Sequence, residues 1–351
     1  MTFAIGSCDG FVVILMNNNA SADVIIVGAG MSGLMAAHVL EDAGYSVLVL
    51  DKAKSVGGRM ATRRIGHGVA DHGAQFFTAR EPVFQQYVDR WIDENIVYVW
   101  AMGFSDGSLV SVPSDGHPRY VVHGGMNNLP KHLAASLKNV QTDTYLVSVT
   151  GDEQGWIVQD DNGELYTSQG LILTSPVPQS LDLMDAGATF LSEPDFIELA
   201  KITYAMCLCG LFWIEGRVTL PQPGAVQRRN SNIVWIADNQ QKGISPEATL
   251  ITVQAGEQYS RQMWNAPEYR ILNALKTDLM LYVDQDVEFK EAQLKRWRYS
   301  RPLVTYHERC MVADYSPPLI FAGDAFGGPR VEGAVLSGLA AGQQMIAQLS
   351  K

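Results

Sequence analysis

Three glycines, Gly28, Gly30 and Gly33, stand between an apolar run, Val24 to Val27, and a second apolar run that begins at Leu34. At a strand-to-helix junction each glycine of a G-x-G-x-x-G spacing has its own task. The first permits the tight turn, the second lets the main chain approach a pyrophosphate, and the third lets helix and strand pack closely. The free amides at the helix start, with Met31 and Ser32 inside the turn, then face the phosphates. A second strand, Ser46 to Leu50, ends on Asp51. An acid about twenty residues past the glycines accepts hydrogen bonds from a ribose 2′-hydroxyl and repels a 2′-phosphate. The segment predicts a dinucleotide site without choosing between FAD and NAD.

The residues after Asp51 bear on that choice. Lys52 is followed by Gly57-Gly58-Arg59-Met60. Paired glycines permit another close backbone approach, and Arg59 offers a planar donor fork to phosphate or flavin. With these in place the chain resembles the flavin amine oxidase superfamily, in which a D-K-x-x-x-x-G-G-R-M run follows the dinucleotide fold. Within it the likeness is to the renalase family. It rests on Asp51 to Met60, Asp71 with Gly73-Ala74-Gln75, Pro176-Val177-Pro178 and Trp297-Arg298-Tyr299-Ser300, in register from about residue 22 onward. His72 and Phe76 depart from the residues seen in some members.

The resemblance implies FAD, and no cysteine or histidine stands in a covalent-attachment context, so the cofactor is expected to be non-covalent. Its contacts are expected from the glycine turn, Asp51, Lys52, Gly58, Arg59, Met60, Gln75 and Phe76. By the same resemblance Val147 lies against the adenine end and the Thr174-Ser175-Pro176 loop over the ribose. Farther on, Leu319 to Ala325 reads as a strand ending in Gly323-Asp324, the pattern by which many flavoproteins aim an aspartate at the ribityl chain or pyrophosphate. Val331 and Glu332 open a last helix, Val335 to Leu349. Its N-terminal dipole would face the flavin pyrimidine, where negative charge accumulates on reduction.

The renalase likeness also implies a reaction, oxidation of 2- or 6-dihydro isomers of NAD(P) to NAD(P)+ with oxygen reduced to hydrogen peroxide. Phe76 or Phe77 and Trp297 would position the nicotinamide, and Arg228, Arg229 and Lys242 would meet its phosphates from an outer lobe. A flavin amine oxidase or desaturase is the rival enzyme reading. A flavin-bound sensor that never turns over is the reading from another class.

These residues need a scaffold of two lobes: a Rossmann-type α/β lobe for the flavin, as in amine oxidases and p-hydroxybenzoate hydroxylase, and a mostly antiparallel α+β substrate lobe. Residues 22–80, 124–180 and 301–351 are assigned to the first, and 81–123 and 181–300 to the second. Glu81 to Trp91 reads as an amphipathic helix with Pro82 in its first turn. Trp100 to Val112 alternates about Asp106-Gly107, a hairpin signature. Helices are expected at Lys131 to Lys138 and at Tyr269 to Val283, the latter from Ile271, Leu272, Leu275, Leu279 and Leu281. Cys207 to Ile214, Ile233 to Ala237 and Thr249 to Val253 alternate as strands of one half-buried sheet.

Bulk properties exclude several functions. At 351 residues and 47% hydrophobic, the chain can bury a large core. A net charge of −11 opposes nucleic acid and anionic membranes as partners. No run is long and apolar enough to span a bilayer. Cys8, Cys207, Cys209 and Cys310 show no C-x-x-C spacing, and buried free thiols in a reducing cytoplasm are the expectation. The seven histidines show no metal-ligand spacing and read as ordinary surface or packing residues. Residues 1–21 have no basic leader and are expected to form a disordered or loosely docked extension.

Overall fold

The computed structural model describes residues 20–108 and 116–351. Most of the expected extension, and the C-terminal part of the expected hairpin, therefore lie outside the described residues. The first strand, β1 (Ala20–Val27), begins inside the segment assigned to the extension, because Ala20 and Ser21 pair with Tyr166 and Thr167 of a longer neighbouring strand. The chain then forms α1 (Met31–Asp42) and β2 (Val47–Leu50), whose residues run parallel to Val24–Val27. All four β2 residues are buried. An internal parallel strand is covered on both faces, which accounts for a continuous apolar run in place of alternation.

A small hairpin follows, β3 (Thr62–Ile65) and β4 (Gly68–Asp71), then α2 (Pro82–Asp93), β5 (Val97–Ala101), β6 (Arg119–Val122) and α3 (Asn128–Ala135). Among the described residues β5 pairs antiparallel with β6. Ser105 bridges to Val226, and Phe104 is buried with Trp235, Ala225 and Ala237; the second arm of the expected hairpin about Asp106-Gly107 lies outside the described residues. α3 starts three residues early because Pro130 is tolerated in a first turn, where its missing N–H is not needed.

The first sheet is completed by β7 (Val140–Gln141), β8 (Leu146–Asp152), β9 (Gly155–Asp160) and β10 (Leu165–Leu173). After α4 (Val177–Ala186) and α5 (Glu193–Ala200) the chain crosses into a second sheet. That sheet consists of β11 (Tyr204–Glu215), β12 (Ala225–Gln227), β13 (Ile233–Asp238), β14 (Thr249–Ala255) and the long β15 (Glu288–Pro302), with α6 (Glu257–Met263) and α7 (Glu268–Leu279) inserted. Its order is β12-β13-β14-β11-β15, and every pair is antiparallel. The even-numbered side chains Leu208, Phe212 and Ile214 of β11 pack with Ile271, Leu275 and Leu279 of α7. Leu281, expected on that face, is 71% exposed, because the helix tightens into a 3₁₀ turn after Leu279. Cys209 and Leu211, on the opposite face, pack on Ile65 and Ala70 of the β3–β4 hairpin.

The chain returns through β16 (Met311–Val312) and β17 (Leu319–Phe321) to the first sheet, whose order is β16-β17-β10-β1-β2-β7, and ends in α8 (Arg330–Leu349). α8 starts five residues before the expected Val335. It crosses α1 at backbone contact: a Cβ on Gly338 would lie 2.2 Å from the Ser32 carbonyl oxygen. Residues 32 and 338 thus set the start of α1 against the middle of α8.

Candidate active site

The glycine turn is held from several directions. Gly28 has φ +106° and donates its N–H to Leu50 O at 2.7 Å. A Cβ on Gly33 would sit 1.9 Å from Gly28 O, whereas one on Gly30 would meet nothing within 4 Å. Gly33 therefore serves the fold and Gly30 opens onto space. Asp51 accepts from Ala29 N at 2.7 Å and Ala53 N at 2.8 Å, locking the turn to the following loop. A carboxylate offers about four acceptor sites, so capacity remains for a ribose hydroxyl. Ser32 Oγ, at the start of α1, is buried without a hydrogen-bond partner. An orphan hydroxyl among free helix amides beside an open glycine fits a bound pyrophosphate.

The opposite wall joins three segments distant in sequence. Arg59 donates both terminal nitrogens to Asp324, at 2.8 and 2.7 Å. This bidentate pair ties the Gly57-Gly58 loop to the Gly323-Asp324 turn after β17. Gly73 lies so close to Arg59 that a Cβ would be 2.0 Å from its carbonyl oxygen, and Ala74 N donates to that same oxygen at 2.8 Å. Gly323 N, in turn, donates to Ser337 Oγ of α8 at 2.8 Å.

One cavity of about 1670 Å³ runs between the two sheets. Ligand pockets commonly measure ~300–1,000 Å³, so this one has room for a dinucleotide and a second molecule. Of the residues singled out from sequence, all but Gly33, Glu332 and Lys242 line it. Gly33 is turned into the strand. The Glu332 carboxylate accepts from Arg80 N and Glu81 N at 2.7 and 2.8 Å, capping the approach to α2 rather than facing the cavity. Val331, one residue earlier, and Val147, from β8, do line it. Lys52, also on the rim, donates to Gln179 Oε1 at 3.2 Å.

Lys242 corrects the expectation of an outer-lobe cation. It is fully buried, donating to Asp71 Oδ2 and to Gln75 O, each at 2.6 Å. Asp71 Oδ1 accepts from Thr62 Oγ1 at 2.5 Å and from Met126 N at 2.8 Å. The polar tract around Asp238 folds inward because this buried carboxylate demands a partner. Burial pushes the Lys242 ammonium down and Asp71 pulls it back up. The pair fixes the turn that carries Gly73, Ala74 and Gln75. Gln75 spends its amide inside that turn, on Asp71 O at 2.8 Å, and accepts from Trp235 Nε1 at 3.1 Å. Arg228 faces the cavity but is committed to Asp278 and Tyr282, each at 2.7 Å; Arg229 lines it too.

The aromatic residues separate into wall and core. Phe77 is 3% exposed and packs on Phe84 and Tyr120, mainly a core residue. Phe76 forms a wall with Phe104 and Trp235. Trp297 stacks on His72 with ring centroids 5.3 Å apart and donates to His72 O at 2.8 Å. His72, read from sequence as ordinary, is held neutral: burial lowers its pKa to about 4, with nearby Lys295 adding to the effect. Its Nδ1 has no partner. Cys207, directly across from Trp297 on β11, also lines the cavity. Burial pushes its thiol up to about 12, so it carries little thiolate at neutral pH.

Sequence reasoning missed the charge of this cavity. Its lining holds thirteen lysines and arginines against four carboxylates, in a chain of net charge −11. Among those missed are Arg80, Arg119, Arg301 and Arg330. Arg330 opens α8 with φ +83°, a conformation that costs a residue with a Cβ about 1–3 kcal/mol. The one available signal was the basic run Lys295, Arg296, Arg298, Arg301 in an otherwise acidic chain.

Comparison with known proteins agrees with this construction. Residues 26–91 match an NAD(P)-binding Rossmann-like domain, and residues 95–346 match the flavin containing amine oxidoreductases. Renalase of Mus musculus is 24% identical over 335 residues, 90% of this chain and 96% of its own. An L-amino-acid oxidase of Sistrurus catenatus edwardsii is 41% identical over 68 residues, 19% of this chain and 13% of its own. A putrescine oxidase triple mutant superposes with a TM-score of 0.68 at 15% identity, covering 93% of this chain and 99% of that one. An Exiguobacterium sp. 255-15 structure with the provisional name protoporphyrinogen oxidase reaches 0.70 at 14% identity, covering 96% and 100%. The family model spans well over half the chain, and the two-lobed fold is the one these structures share. The chain belongs to the flavin containing amine oxidoreductases, with a distant homology to renalase, and is a flavin-dependent oxidoreductase.

Proposed function

We propose that this protein is an oxidase with non-covalent FAD that removes a hydride from a carbon bonded to nitrogen in a small organic substrate. When bound, FAD supplies the hydride acceptor and the route of electrons to oxygen, which leaves as hydrogen peroxide. The observation that carries the reading is the single cavity running from the glycine turn to the Phe76 and Trp297 walls. In it Gly30, Ser32 and Asp51 would hold the adenosine diphosphate, with Met31, Met60 and Val147 as apolar packing. The Arg59–Asp324 pair and the backbone at Gly58, Gly323 and Val331 would hold the rest of the cofactor. Phe76 and Trp297 would orient a flat substrate. No protein base is assigned, since burial lowers the His72 pKa to about 4, which makes it a weak proton acceptor, and its ring is stacked on Trp297.

The bond to be broken is common to two substrate classes. An amine loses hydride from the carbon beside its nitrogen, and so does a 2- or 6-dihydropyridine. The general amine-oxidase reaction has the wider support, from the family model and from relatives named for L-amino acids and putrescine. The finer reading, isomeric dihydro-NAD(P), has the support of the renalase likeness over nearly the whole chain. We place the flavin lobe at residues 22–80, 124–180 and 301–351 and the substrate lobe at 81–123 and 181–300. We place the protein in the cytoplasm, on the strength of the free thiols Cys207, Cys209 and Cys310.

Anaerobic stopped-flow reduction of the FAD-loaded protein tests this reading. The donor panel would hold 2-, 4- and 6-dihydro-NAD(P), L-amino acids, putrescine and benzylamine. Rapid bleaching by 2- or 6-dihydro isomers, with slow bleaching by the 4-isomer, selects the finer reading. Only a carbon held about 3–3.5 Å from the acceptor and aligned with it gains from positioning, and a hydride at C4 is then on the wrong carbon. Bleaching by amines alone selects the amine-oxidase reading. A flavin that no donor bleaches would sink both.

A further inference from the structure

We infer that Arg80, Arg119, Arg301 and Arg330 form an oxyanion-receiving wall, and that the substrate carries a carboxylate or phosphate that docks on it. The inference rests on the oxidase reading and deepens it by naming a group the substrate must bear. The four side chains come from separate parts of the chain: the loop before α2, the start of β6, the end of β15 and the first residue of α8. All four line the one cavity.

Among the described residues no carboxylate pairs with Arg80, Arg301 or Arg330. The nearest acidic candidates are spent elsewhere, Asp324 on Arg59 and Glu332 on the backbone amides of Arg80 and Glu81. Burial lowers the Arg330 pKa, and the positive charges of Arg80, Arg301 and Arg119 lower it further. A folded chain that gathers like charges at a cavity wall stabilises an anion there, and the planar guanidinium fork matches carboxylate and phosphate oxygens in pairs.

Position separates this wall from the cofactor cradle. The Arg119 guanidinium lies over the Phe76 ring, 5.7 Å from its centroid, and Phe76 packs on Phe104 and Trp235 of the substrate side. Arg301 belongs to the second sheet. The adenosine end, at Asp51 and Val147, is built from the first sheet. An anion on this wall would thus hold a substrate by its charged end, beside the aromatic surface that orients its ring.

The test uses the FAD-loaded protein at constant ionic strength, with the flavin absorbance as readout. Benzoate, inorganic phosphate, pyrophosphate and the neutral control benzamide are titrated in turn. A saturable spectral change with at least one anion and none with benzamide is expected; saturation by benzoate alone assigns a carboxylate, and by phosphate or pyrophosphate alone a phosphate. Arg330→Gln and Arg301→Gln should each weaken that anion at least tenfold, and Arg330→Lys should restore part of the loss. The inference is overturned if no anion saturates, or if both Gln variants, fully loaded with FAD, bind anions like the parent. In the second case, weakened FAD affinity of their apoproteins would assign the cluster to the cofactor. Because anion binding is read without turnover, it is measurable even where no donor bleaches the flavin, so the two proposals fail separately.

Discussion

The cofactor cradle and the substrate wall lie in one cavity but are built by different means. The proposed cradle would recognise its ligand with backbone: a glycine turn, the amides opening α1, and an aspartate that braces the turn through Ala29 and Ala53. The proposed wall would recognise with side chains, arginines and aromatics brought from four or more separated segments to line the same cavity. Backbone recognition requires glycine at fixed intervals, because a Cβ at Gly28, Gly33 or Gly73 would strike neighbouring atoms. Side-chain recognition requires only that the chain return to the same place. The first constraint leaves a spacing in the sequence, and the second leaves none.

The joint between the regions is the place to break the comparison most severely. Lys242, from the turn after β13, reaches Asp71 at the end of β4 with both groups fully buried. Lys242→Met should cost about 3–5 kcal/mol, because it strands an uncompensated carboxylate. A lowered urea midpoint at unchanged slope would register the loss. Lys242→Met with Asp71→Leu should recover much of it, since removing both charges removes the stranded one. If the double variant is as unstable as the single, the pair's value lies in its other hydrogen bonds, to Gln75 O, Thr62 and Met126.

Next in size is His72, which faces both regions. Its pKa is about 4 in the folded protein against 6.5 in the unfolded chain. Between those values the unfolded chain binds a proton that the folded one refuses. Its contribution to stability is therefore complete above pH 6.5 and is lost as pH falls toward 4, by at most about 3 kcal/mol. His72→Phe keeps an aromatic ring against Trp297 and should flatten the stability profile across that window. An unchanged profile would assign the acid sensitivity to other groups.

Arg59 sharpens the cradle side. Sequence alone aimed it at the cofactor, and the structure gives it to Asp324. Arg59→Ala should weaken FAD by about one to two decades, roughly 1.5–3 kcal/mol, through the Asp324 carboxylate left uncompensated in the cavity wall. FAD titration of the apoprotein measures this. Unchanged affinity would reduce the pair to a tether between loops.

The same contrast explains what could be read beforehand. Gly28 to Gly33, Asp51 and the Gly323-Asp324 strand end were legible because each is fixed by local geometry around a strand terminus. The two-lobed fold was legible because β2 reads as continuous apolar sequence; the second sheet, expected to be half-buried, is instead covered on both faces of β11, by α7 and by the β3–β4 hairpin. Lys242 was not: a lysine in a polar tract reads as solvated, and only the tertiary approach of Asp71 buries it. Arg80, Arg119 and Arg330 were not, because single arginines 39 or more positions apart carry no mutual spacing signal.

The smallest expected change in stability gives the most direct test that fold and cofactor glycines differ. Gly30 has φ −80° and ψ 179°, extended backbone open to any residue, and its added Cβ would touch nothing within 4 Å. Gly30→Ala should therefore leave the apoprotein within about 0.5 kcal/mol of its parent, as surface substitutions do. Gly33→Ala forces a methyl to 1.9 Å from the Gly28 carbonyl oxygen, and overpacking of that kind costs about 1–3 kcal/mol. With FAD present the two should converge, because the Gly30 methyl occupies the space through which the backbone would approach a pyrophosphate. Urea midpoints of the apoproteins, set beside FAD titrations, give the comparison. If Gly30→Ala binds FAD as tightly as the parent, the open space at Gly30 is not where the phosphates lie, and the cradle must be redrawn around Ser32 and the Gly57-Gly58 loop.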